Sequence, residues 1–199
     1  METVDQAGVL PAFFYFSRVN LVYEIEHSTA HRPIRDRIAN SVLADEALFP
    51  QLFFCALDTK SDFHFKACWI MELVLNQKIS LIEPYLDEFC QSLPYFENDS
   101  ALRSISKICL FICERHFGKN QTVFASKEQL QHISEACFDW LISDGKVAMK
   151  AYAMRALFLT GKDFDWIYPE LGTILEKDFP HHSAAYKAAA RELLKKLKR

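Results

Sequence analysis

Between Ser61 and Leu93 the hydrophobic positions follow two helical rhythms separated by a short polar break at Asn76-Gln77. In the second rhythm Ile82, Tyr85, Leu86, Phe89, Cys90 and Leu93 recur at the i, i+3, i+4, i+7 spacing of one buried helical face. Asp87, Glu88 and Gln91 fall on the opposite side, where they stay in water. The first rhythm, Phe65-Lys66-Ala67-Cys68-Trp69-Ile70-Met71-Glu72-Leu73-Val74, is apolar almost all round. Such a helix must bury more than one side, which a single hairpin cannot do. The pattern therefore predicts a helical hairpin stacked between others like itself.

The same rhythm runs through most of the chain. A first helix is expected near Ser17 to His27, and Pro33 suits the first turn of the next, which continues through Ile34, Ile38, Val42 and Leu43. Asp45 is placed to cap a helix holding Phe49, Leu52, Phe53 and Leu57. Ser100 is placed to cap one with Leu102, Ile105, Ile108, Cys109, Ile112 and Cys113 inside. The longest connection is expected from Gly118 to Ala125. Ser126-Lys127-Glu128-Gln129 then has the form of a capping box before Leu130, Ile133, Cys137, Trp140 and Leu141. Val147 to Leu159 should stop at Gly161 as a C′ glycine. Asp165 should open a helix from Trp166 to Glu176, and Ser183 should cap the last, Ala184 to Lys198. Trp69, Phe89, Ile108, Trp140 and Leu157 are the expected core. Residues 1–16 lack a helical period and read as a loose extension, with 17–199 a single helical repeat domain. Within the extension, Phe13-Phe14-Tyr15-Phe16 either packs on the first hairpin or forms a partner patch.

Laid over one another, the units repeat. Lys66-Ala67, Arg103-Ser104, Lys150-Ala151 and Lys187-Ala188 each put a base and a small residue early in the first helix of a pair. Phe49-Pro50-Gln51-Leu52, Glu83-Pro84-Tyr85-Leu86 and Tyr168-Pro169-Glu170-Leu171 put proline then leucine early in the second. Proline is tolerated there because the N–H groups of a first turn are unpaired anyway. Units of roughly 35 to 47 residues match two-helix repeats of the HEAT or armadillo kind. The pair after Gly118 lacks the proline. The expected fold is all-α, a right-handed HEAT/armadillo-like α-α superhelix of about five antiparallel pairs with the last incomplete.

On these residues the chain resembles small bacterial HEAT-repeat proteins over about Thr29 to Lys198. Phe65-Lys66-Ala67-Cys68-Trp69, Glu135-Ala136-Cys137-Phe138-Asp139-Trp140-Leu141, Phe164-Asp165-Trp166-Ile167-Tyr168-Pro169-Glu170-Leu171 and Ser183-Ala184-Ala185-Tyr186-Lys187-Ala188 carry the likeness. Members of that group are often labelled adenylosuccinate lyase. The lyases' Gly-Ser-Ser-x-x-Pro-x-Lys-x-Asn loop has no counterpart in this sequence, so the resemblance implies a fold and carries over no catalytic residue.

Composition narrows the function classes. Half of the 199 residues are hydrophobic, a quarter are charged and only five are glycine, which favours helices. A formal net charge of -3 predicts no strong overall attraction to nucleic acid or anionic membranes. The six cysteines fall inside apolar helical patterns without a CxxC spacing and read as small hydrophobes in a reducing, cytoplasmic setting. Met1 to Asp5 lacks a signal peptide's basic start, and the apolar run Val9 to Phe16 is too short to span a bilayer. No membrane partner is expected.

Candidate chemistry is sparse. Cys109, Cys113 and His116 at i, i+4, i+7 could share a helix face as metal ligands, but the same spacing describes a buried stripe among Ile105, Ile108 and Ile112. No metal or cofactor is expected, and no catalytic residue is assigned. His181-His182 fit a turn, and His27 and His31 flank a connector. The row Lys66, Arg103, Lys150 and Lys187 stands out, because equivalent positions of a stacked repeat line up along one face. Each cation either pairs with an acid of the next repeat or joins an anion-binding stripe, to which Arg191, Lys195, Lys196, Lys198 and Arg199 add a basic tail. Three readings follow: a non-enzymatic scaffold for a protein or peptide partner, a nucleic-acid-binding HEAT module related to DNA alkylation repair proteins, or a small lyase.

Overall fold

A computed structural model describes residues 20–118 and 123–198. The expected extension with Phe13 to Phe16, the start of the first expected helix, the middle of the Gly118 loop and Arg199 lie outside the described residues. Among the described residues there are ten α-helices and no strand. They are α1 (Leu21–Glu26), α2 (Arg32–Ala44), α3 (Phe49–Leu57), α4 (His64–Gln77), α5 (Leu86–Ser92), α6 (Asp99–His116), α7 (Lys127–Ile142), α8 (Val147–Thr160), α9 (Ile167–Asp178) and α10 (Ala184–Leu197).

The even-numbered helices lie side by side in chain order. α4 packs between α2 and α6, and α8 between α6 and α10. Odd-numbered helices pack against them, with α3 on α4 and both α7 and α9 on α8, and against one another, with α1 on α3 and α5 on α7. This explains why α4 is apolar all round: Ala67, Cys68, Ile70, Met71, Val74 and Leu75 are all at most 1% exposed, because three helices surround it. One continuous core runs from Leu21 to Leu193.

Several local expectations hold. Pro33 occupies the first turn of α2. The capping box forms, with Ser126 Oγ accepting from the Gln129 N–H at 3.1 Å and Gln129 Oε1 accepting from the Ser126 N–H at 2.8 Å. Ser183 Oγ accepts from the Tyr186 N–H to open α10. Phe89, Ile108, Trp140 and Leu157 are buried.

Others need correction. The second helix of the Ser61 unit is split into a 3-10 stretch, Ile79–Tyr85, and α5. Pro84 has no N–H to donate backwards and its ring crowds the preceding turn, so a continuous α-helix cannot run through it. The predicted apolar face survives the split, with Ile82, Leu86, Phe89, Cys90 and Leu93 buried. Asn98, rather than Ser100, caps α6: its Oδ1 accepts from the Ser100 and Ala101 N–H groups at 2.9 and 3.2 Å. α9 begins after Trp166 with no side-chain cap, so Asp165 does not fill that role. Gly161 is not a left-handed C′ residue, since its φ is -58°. A Cβ there would lie 2.2 Å from the Tyr168 ring, so close packing is what requires glycine. Trp69 is only half-buried, at the surface of α4 beside Arg35.

Candidate functional site

Charge is divided between the two sets of helices. The even-numbered helices carry thirteen Lys and Arg against five Asp and Glu, a balance of +8. The odd-numbered helices with the Ile79–Tyr85 stretch carry two Lys against eleven Asp and Glu, a balance of -9. Nearly opposite sums thus lie beneath the small net charge of the whole chain.

Across the even row, side chains from five successive helices connect. The Arg35 guanidinium of α2 sits 5.5 Å from the centre of the Trp69 ring of α4, which stands edge-on to Phe65. Three residues on from Trp69, Glu72 is buried and accepts from Ser104 Oγ at 2.6 Å and from Lys107 Nζ at 2.7 Å, with Arg103 Nη1 at 3.8 Å. Lys107 also lies 5.4 Å from the Phe111 ring and 5.8 Å from the Tyr152 ring of α8. One turn on, Arg155 meets Glu192 of α10 at 3.8 Å, and Glu192 pairs with Lys196 at 2.7 Å. Glu72 is sunk beneath this line while the cations reach water: side-chain exposure is 7% for Glu72 but 44% for Arg103 and 41% for Arg155. The Trp69, Phe111 and Tyr152 rings are half-buried beside them. The line therefore presents positive charge flanked by aromatic rings.

The predicted row behaves differently. Lys66 Nζ donates to the Glu26 carbonyl at the end of α1, at 2.6 Å. Lys187 Nζ donates to the Pro180 carbonyl at 3.1 Å. An ammonium satisfies such chain-end carbonyls and complements the negative end of a helix. Lys150 is buried at 4% exposure, and no carboxylate among the described residues pairs with it. Arg103 alone of the four belongs to the exposed line. Lys107 and Arg155 went unnoticed in the sequence, and Lys196 was read only as part of the basic tail, although Arg103/Lys107 and Glu192/Lys196 at i, i+4 were there to mark shared helix faces.

Cys109, Cys113 and His116 do not converge on one point. Burial pushes the Cys109 and Cys113 thiols well above their ordinary range. His116 turns away, its Nδ1 accepting from the Ala125 and Phe124 N–H groups at 3.1 and 3.4 Å. Among the described residues no three His, Cys, Asp or Glu side chains form a metal-binding group. No described helix is long and apolar enough to cross a membrane.

A cleft of about 600 Å³ opens between the α3–α4 and α5–α6 connections, with His64, Ser61, Phe65, Tyr95 and Asn98 among its walls. His64 is buried there, and its Nδ1 has no hydrogen-bond partner among the described residues. Burial lowers its pKa, against the weaker opposing pull of the Ala56 carbonyl and Asp58. No family model, curated protein or solved structure matches this chain.

Proposed function

We propose that the chain is a non-catalytic scaffold, a HEAT-like α-solenoid of the kind its sequence resembles, that holds a negatively charged partner against its even-numbered helices. One observation carries the reading: cations of α2, α6, α8 and α10, bridged by Trp69 and Glu72 of α4, stand in a connected line on the row whose charge balance is +8. A local field of one sign concentrates ligands of the other sign even where the whole protein is weakly anionic. Glu72, buried and engaged by Ser104 and Lys107, and Glu192, shared by Arg155 and Lys196, offset only part of this charge and leave the row net positive. An elongated partner is favoured over a small ligand, since the line crosses five helices rather than closing around a cavity.

The test is retention on a sulfonate or heparin column at pH 7. A protein of net charge -3 should run through such a column. This one is expected to be held at low salt and released as salt screens the contact. Arg103→Gln combined with Arg155→Gln should sharply weaken retention without lowering the melting temperature appreciably, because both side chains are exposed and glutamine adds no charge beside Glu72 or Glu192. Flow-through of the unmodified chain at low salt would overturn the proposal.

A further inference from the structure

We infer that the partner held by the even row is a single-stranded nucleic acid, with backbone phosphates on Arg103, Lys107 and Arg155 and bases against Trp69, Phe111 and Tyr152. The inference rests on the proposed anionic-partner face and names its occupant. What carries it is the interleaving of rings and cations. Arg35 lies over Trp69, and Lys107 is flanked by both Phe111 and Tyr152, all within 6 Å of a ring centre. The rings are half-buried, so packing holds them in place while part of each remains at the surface.

Ring and cation divide the work of holding a single strand: the cation meets the phosphate, and the ring offers a π-face on which any unpaired base can stack. A duplex keeps its bases stacked on one another and would use only the cations. An acidic peptide would likewise use the cations and leave Trp69, Phe111 and Tyr152 without a role. The mixture of both side-chain types along one line thus favours the strand whose bases are free.

The experiment is fluorescence-anisotropy binding of the full chain to three labelled probes over a salt series. The probes are a mixed-sequence single strand, the duplex of that sequence and a polyglutamate peptide. The single strand should bind at least about tenfold more tightly than either competitor. Tyr152→Leu and Phe111→Leu, which keep apolar volume in the packed positions, should each weaken single-strand binding about 5- to 150-fold, the equivalent of one lost base stack. They should leave polyglutamate binding unchanged. Arg155→Ala, on an exposed position, should flatten the salt dependence of single-strand binding by about one phosphate contact. Melting temperatures confirm that each variant is folded.

Equal affinity for the duplex or for polyglutamate, or ring variants that bind the single strand as well as the parent does, would overturn the inference and leave the anionic-partner scaffold standing. Failure to bind any of the three at low salt would overturn both.

Discussion

The even and odd helices differ in build as well as in charge. α2, α4, α6, α8 and α10 run for 13 to 18 residues, and their one proline, Pro33, sits in a first turn. α1, α3 and α5 span only 6 to 9 residues, and Pro50, Pro84, Pro94 and Pro169 punctuate the odd row. α9, with Pro169 in its first turn, runs for 12 residues, and α7, of the pair that lacks the proline, for 16. Burial is not weakened where the helix is broken, since Ile82, Leu86, Phe89 and Leu93 are at most 3% exposed. The odd row buries apolar surface with short helical pieces, whereas the even row supplies longer, uninterrupted helices that carry the cations.

The largest expected effect tests whether the broken row is structural or merely a cover. Phe89→Ala, on the seven-residue α5, should cost about 3–5 kcal/mol in chemical denaturation, because a large cavity opens in the continuous core. Leu86→Ala should cost about 2–5 kcal/mol for the same reason. A loss below about 1 kcal/mol for both would mean that the even row folds without this part of its cover.

A smaller effect sharpens the contrast in charge. Glu72→Ala removes the acceptor of Ser104 and Lys107 and should cost about 1–3 kcal/mol in the same assay. The loss falls short of that for a sealed ion pair because the freed Lys107 can reach water. Since the line is left more positive, this variant should also be retained more strongly on the sulfonate column. Weaker retention would mean that Glu72 is needed chiefly to hold the cations in place.

Periodicity made the helices legible, and the all-round apolar character of α4 correctly demanded neighbours on several sides. The capping box at Ser126 was legible because both halves of its hydrogen bonding are local. What escaped depends on contacts distant in sequence. Gly161 is required by the Tyr168 ring, and Trp69 meets Arg35 of another helix at the surface instead of the core. The cationic line escaped for a related reason. Aligning equivalent positions selected Lys66 and Lys187, which turn back to nearby carbonyls, whereas Lys107 and Arg155 acquire meaning only once α4, α6, α8 and α10 lie side by side. Composition also misled, because +8 and -9 nearly cancel in the sum.

The smallest effect is a pH dependence at the junction of the two rows. His64 opens α4 and packs against Phe96, just beyond the odd-row stretch Leu93–Tyr95. Burial disfavours its imidazolium, so the folded chain takes up this proton at a lower pH than the unfolded chain does. As pH falls through about 6.5, the unfolded chain binds the proton first and is favoured relative to the folded state. The contribution is thus present in full above that pH and is lost progressively below it. Denaturation midpoints at pH 7.5 and 5.5 should fall further for the parent than for His64→Leu, which cannot titrate there and leaves no unpartnered Nδ1 in the core. An identical decline in both proteins would assign the acid sensitivity to other groups. A smaller decline in the variant would identify the start of α4, where an even helix meets its odd-row cover, as a point at which acid loosens the two rows.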